Sequence, residues 1–188
     1  NEEIPQNKTN EVKKLFFESD LRQLQINKLS FINPKFNFSL NEGFFNTLEI
    51  NLISNEIHHK ISIEDYESKK KFILESNYLP DLIDIFGKNL GITRGSLKIE
   101  GYRNNLNNNF EGIIAGNDIV FSDAPFFADF FSLFSLQGFA QKIKDGGIIF
   151  DKLNAKYELG DKKLRIIDSL LKGSELGIQF DSVIGIDN

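Results

Sequence analysis

The 188-residue chain is 40% hydrophobic and 26% charged, with a formal net charge of −5. That balance suits a folded chain with a sizeable core, and the few arginines among its cations leave no footprint for nucleic acid, which is not expected as a partner. Cysteine is absent, which excludes disulfides, thiolate metal sites and a cysteine nucleophile.

Residues 1–11, "NEEIPQNKTNE", are polar and read as a linker or disordered end, with residues 12–188 forming a single β-rich segment. A chain starting at Asn1 without methionine is expected to be a mature product or an excised segment. No stretch reads as a signal peptide, and no apolar run reaches the roughly 20 residues of a membrane span. An anchor or export signal belongs to a part cut away, on this reading.

From there to about Tyr78 the pattern has period two. Phe36, Phe38 and Leu40 share one face, as do Leu48, Ile50 and Leu52, and again His59, Ile61 and Ile63. Alternation with one polar face predicts an antiparallel sheet wetted on one side. "NEG" at Asn41–Gly43 and "DYESKK" at Asp65–Lys70 supply turns.

"LPDLIDIFG" predicts a short helix, with Pro80 in its first turn, Gly87 ending it, and Leu79, Leu82, Ile83 and Phe86 on one side. "GSLKIEGYR" resumes strand alternation, and the asparagine run 104–109 predicts an exposed hairpin loop. "FEGIIAGNDIVF" reads as a strand pair or a bent strand, with Gly112 and Gly116 as candidate bulge points.

Five phenylalanines then crowd into Phe126–Phe134. Asp123 is an N-cap candidate and Pro125 fits a first turn. Helical spacing puts Phe126, Phe127, Phe130, Phe131, Leu133 and Phe134 on one side, with Ala128, Asp129 and Ser132 on the other. Three turns with a polar face are too short and too one-sided for a bilayer span. An acidic rather than basic polar face also argues against a bilayer-surface helix. Packing on the sheet as core, contact with lipid in a groove and a protein interface all stay open.

Beyond Gly146–Gly147 the alternation is cleanest. Leu153, Ala155, Tyr157 and Leu159 line one face, and the following strand carries Leu164, Ile166 and Leu170. The last carries Leu176, Ile178, Phe180, Ile184 and Ile186. In all, nine or ten strands and two helical segments predict a sheet-dominated α+β chain.

Little in the sequence points to chemistry. The two histidines, His58 and His59, are adjacent, so on a strand they face opposite sides and do not share a metal ion. Asp81 and Asp84 share a helix turn and Glu64–Asp65 ends a strand, but no nucleophile has a base in a recognisable spacing. "GSLKIEG" and "DGGIIF" lack the strand–loop–helix context of a phosphate cradle. "NKT" and "NFS" match the glycosylation acceptor pattern only weakly. No catalytic residue, metal or cofactor is expected, and the chain does not read as an enzyme.

The ordered set "DAP" at Asp123–Pro125, "GIIFDKL" at Gly147–Leu153, "LRIIDS" at Leu164–Ser169 and "GSELGI" at Gly173–Ile178 resembles the C-terminal region of AsmA-like proteins. It is most similar to the YhdP-type branch, relatives of TamB, and the likeness runs from about Ser76 to Asn188. The first 75 residues match only as alternating strands with turns. The Phe-rich segment departs from the pattern, since relatives more often carry Leu and Val there.

The resemblance implies a Gram-negative cell-envelope protein of the periplasm, whose full-length form is anchored in the inner membrane and reaches toward the outer membrane. It implies a long, twisted and curved antiparallel sheet forming an open trough with an apolar wall, the helical segments packed on it or capping it. It also implies a role in carrying phospholipid between the membranes, with acyl chains in a β-groove and envelope proteins as further partners. Leu97, Ile99, Leu153, Tyr157, Leu164, Ile166, Ile178 and Phe180 are then the candidate wall residues, each on the apolar side of its strand. The alternative is a structural or adhesive β-domain with a closed core that binds protein partners. An excised piece of either kind would leave edge strands open at both ends.

Overall fold

The computed structural model describes residues 14–41, 44–85, 87, 91–103, 109–122, 147–160, 162–174 and 176–185. Twelve strands are present among them: β1 (Lys14–Glu18), β2 (Gln23–Ile26), β3 (Leu29–Ile32), β4 (Lys35–Asn41), β5 (Phe44–Ser54), β6 (Ile57–Tyr66), β7 (Lys69–Ser76), β8 (Ile92–Arg103), β9 (Phe110–Phe121), β10 (Ile148–Gly160), β11 (Lys163–Lys172) and β12 (Gly177–Gly185). One helix, α1 (Leu79–Ile85), lies between β7 and β8. The predicted Phe-rich helix, with Phe126, Phe127, Phe130, Phe131 and Phe134, lies outside the described residues, as do the linker and Phe86.

Ten strands form one antiparallel sheet in the order β1-β4-β5-β6-β7-β8-β9-β10-β11-β12, and β2 and β3 form a separate hairpin. The sheet is open: β1 and β12 are its two edges. Apart from the inserted hairpin, every strand pairs with its sequence neighbours; short turns send the chain straight back at β5–β6, β6–β7 and β10–β11, whereas β7–β8 and β9–β10 are joined by longer connections. Asn27, Asn55 and Glu67 each take a left-handed φ at the first position of a two-residue turn. Such turns match the twist of paired strands and favour asparagine, whose side chain tolerates positive φ.

The strand count exceeds the expected nine or ten because "QLQINKLSFI" makes the additional hairpin β2–β3. Residues 110–121 form one strand rather than a pair, and neither Gly112 nor Gly116 is a bulge. The irregularities fall instead between Ile92 and Ser96, in β8 opposite β9, in β11, and between β4 and β5, where Ser39 pairs with Thr47 but Leu40 with Phe45. In β11 Asp168 has φ 51° and Lys156 and Tyr157 pair with Ile167 and Ile166, while Asn154 pairs with Leu170. That one extra residue turns Ser169 and Leu171 to the side of Ile166, and Leu170 to the opposite side, where it is exposed. Sequence alternation alone had put Leu170 with Leu164 and Ile166.

Residues paired across antiparallel strands share a face, so the register assigns every side chain. One face carries the row Ile178, Leu171, Leu153, Gly116, Leu97, Ser76, His59 and Leu52. Two residues further along lie Ile114, Ile99, Leu74, Ile61, Ile50 and Phe36. The next row is Ile166, Tyr157, Gly112, Gly101, Phe72, Ile63, Leu48, Phe38 and Phe17. The reverse face carries rows such as Lys35, Asn51, Lys60, Glu75 and Lys98.

The fully buried side chains gather at one end of the first face. There α1 lays Leu79 and Leu82 on Ile119, beside Leu74, Leu97 and Leu153. Ile148, Phe150 and Leu171 make an adjoining cluster with Ile178. Gly87 at φ 65° ends α1, its N–H donating to the Asp84 carbonyl, as Gly87 was expected to do. The β2–β3 hairpin covers the same end: Phe31 is fully buried edge-on to the His59 ring, and the Asn27 amide donates to the Asp84 carbonyl of α1.

Candidate functional site

All eight candidate wall residues fall on one face. Leu97, Leu153 and Ile178 lie in the row nearest α1; Ile99 is in the next, with Phe180, which pairs with Ser169. Tyr157 and Ile166 follow, and Leu164 lies beyond them, opposite Leu159. Tyr157 is buried, Phe180 is exposed and the other six are half-buried. Further from α1 the same face carries aromatic pairs, with Phe17 stacked on Phe38 at 4.9 Å and Phe72 edge-on to Phe110 at 6.4 Å. Its far rim is charged between β6 and β8, where Lys70 bridges Asp65 and the Asn46 carbonyl and Arg103 lies next in register.

Tyr157 owes its burial to glycine. Its register neighbours on the two adjoining strands are Gly112 and then Gly101, and a Cβ on Gly101 would collide with the Tyr157 hydroxyl. The ring therefore lies across two strands that offer no side chain, which places a flat aromatic floor in the middle of the apolar face. At 5% exposure Tyr157 finds no hydrogen-bond partner for its hydroxyl among the described residues, and burial pushes the phenol up to about 12.

His58 and His59 face opposite sides of the sheet, as their adjacency demands. His59 is buried with Nδ1 2.9 Å from Ser76 Oγ, whose hydroxyl donates to the Tyr78 carbonyl, so Nδ1–H is the donor and, among the described residues, Nε2 faces no partner. Burial, and secondarily the His58 charge, holds the His59 imidazole below its ordinary value of 6.5. Its neutral form is the one the fold accepts, so stability is complete above 6.5 and falls as pH drops through 6.5 toward the lower folded value. Thermal unfolding followed across that range is expected to show this acid limb, and His59→Gln is expected to flatten it.

The reverse face is mostly polar, with Ile53, Ile73 and Ile113 among its exceptions, and none of its residues was singled out as a site from the sequence. A cleft of about 690 Å³ is lined there by Lys35, Asn51, Lys60, Glu75, Lys98 and His58, among others. Beside it Lys71 pairs with Glu100 at 2.9 Å and sits over the rings of Tyr66 and Tyr102. The hydrogen bond from Lys71 lowers the Glu100 carboxyl and raises the Lys71 ammonium. Alternation holds part of the signal for this face, since Ile50 lies between Glu49 and Asn51, and Ile99 between Lys98 and Glu100.

Among the described residues no three His, Asp or Glu side chains gather as a metal site, and no helix is long and apolar enough to cross a membrane. What the arrangement offers is an amphipathic sheet of ten strands. No family model, curated protein or solved structure matches the chain.

Proposed function

We propose that this chain is a lipid-handling segment of the AsmA-like kind, in which the apolar face serves as the wall of an open trough for phospholipid acyl chains. The observation that supports this reading is that eight residues on four different strands share one face while six of them stay only half-buried. Water exposure costs an acyl chain about 0.8 kcal/mol per methylene, so a continuous dry wall removes most of the barrier to moving a two-chain lipid. Non-directional contacts suit sliding, since no single position becomes a deep well. The polar reverse face meets solvent. A periplasmic location, with the full-length protein anchored in the inner membrane, and transfer between the two envelope membranes belong to the same proposal.

A second reading is a protein-binding β-domain with a closed core, favoured by the fully buried clusters beneath α1 and the β2–β3 hairpin. Native mass spectrometry of the chain purified without detergent is expected to show co-purifying phospholipid. A photo-crosslinking residue at Ile178 is expected to capture lipid in cells. Lipid-free protein, with crosslinks only to neighbouring side chains, would favour the closed core instead.

A further inference from the structure

We propose that the open edge of β1 pairs with the same strand of a second copy, antiparallel and centred on Phe16. Among the described residues no strand lies beyond β1 in the sheet, and all five of its side chains are exposed, Phe16 at 76%. An edge strand this apolar is a template for another strand.

The backbone fixes which residues are available. The Ser19 N–H donates to the Phe36 carbonyl, in register with the β1–β4 ladder. By the alternation of a strand, Phe17 and Leu15 also turn their N–H and C=O toward β4, and Lys14, Phe16 and Glu18 turn theirs outward. A two-fold axis at Phe16 sets the outward-facing groups of the two copies opposite one another, so Phe16 bonds its own counterpart and Lys14 bonds Glu18 of the second copy in both directions.

Side chains agree with that register. Lys14 and Glu18 lie on the polar face with Phe16, so each Lys14 ammonium meets a Glu18 carboxylate and the two Phe16 rings meet between the pairs. Leu15 and Phe17 lie on the apolar face and meet Phe17 and Leu15 of the other copy, which makes the two apolar faces continuous. Shifting the axis to Leu15 or Phe17 still sets outward-facing groups opposite one another but loses the Lys–Glu match, since Phe16 then faces Lys14 or Glu18 of the other copy. With five residues a side against the roughly 20–30 of a standard interface, the dimer is weak and concentration-dependent.

Charge exchange tests the pairing on delipidated protein, which separates it from the lipid reading. Sedimentation equilibrium is expected to show concentration-dependent dimers of the native chain. Lys14→Glu and Glu18→Lys each set two like-charge pairs across the axis and are expected to weaken dimerisation by roughly tenfold or more. An equimolar mixture of these two variants restores both opposite-charge pairs, so a heterodimer is expected by native mass spectrometry, and the double variant is expected to dimerise like the native chain. Circular dichroism on each variant checks that these exposed positions leave the fold intact. A native chain that stays monomeric would overturn the proposal. So would single variants that dimerise undiminished, or a mixture that fails to recover, which would place any association at β12 or on another surface.

Discussion

Gly112→Val is expected to remove the native sheet or lower its unfolding free energy by about 3 kcal/mol or more. The reason is local: a Cβ on Gly112 would run into the Glu100 carbonyl and come within 2.5 Å of the Gly101 Cα. Both are backbone atoms of β8, so relief requires parting β8 from β9 along the middle of the sheet. Tyr157 would lose its seat at the same time, because its ring lies over this glycine pair. Tyr157→Phe provides the contrast. It keeps the ring and removes a buried hydroxyl that has no partner among the described residues, so it is expected to be neutral or to stabilise by about 1 kcal/mol. Denaturant titrations of the two variants check both outcomes. A Gly112→Val chain as stable as the native one would show that the strands at this point have room to spare.

Ile99→Asp is expected to cut lipid capture by about tenfold or more while Ile113→Asp leaves it unchanged. Ile99 is half-buried in the apolar row between Ile114 and Leu74. A carboxylate there keeps its water shell, and displacing two or three methylenes from the wall accounts for a change of that size. Ile113 pairs with Glu100 and Lys156 on the polar face and is 55% exposed. The same substitution one residue along from Ile114 therefore reverses the face without changing the chemistry. Recovered phospholipid per mole of protein, with unfolding temperatures measured alongside, checks the pair. If Ile99→Asp only unfolds the chain, the face behaves as closed core. Equal losses from both variants would detach lipid capture from the apolar face.

Much of this architecture is written in the alternation of the chain. Leu48, Ile50 and Leu52 need only a period of two to share a side, and the register of β5 with β6 then aligns them with Ile63, Ile61 and His59. The helix α1 was legible in Pro80 and Gly87, which mark its ends. What alternation does not reveal is where a strand skips. Asp168, a polar residue among apolar ones, takes a positive φ and exchanges the sides of Leu170 and Ser169, and nothing in its local spacing announces that. The glycines were equally ambiguous: Gly112 suggests a bulge from sequence, but its role comes from Tyr157, forty-five positions away along the chain. The cleft lined by Lys35, Lys60 and Lys98 depends on the five strands β4–β8 in register, which a linear reading of scattered lysines does not bring together.

The meander also sets a distance. Its first and last strands are opposite edges, separated by the nine gaps of a ten-stranded sheet. At about 4.8 Å per gap this amounts to ~43 Å measured along the sheet. Anything tethered beyond β1 is thereby held a full sheet width from anything tethered beyond β12, and the hydrogen-bonded ladder acts as a spacer whose length is counted in strands.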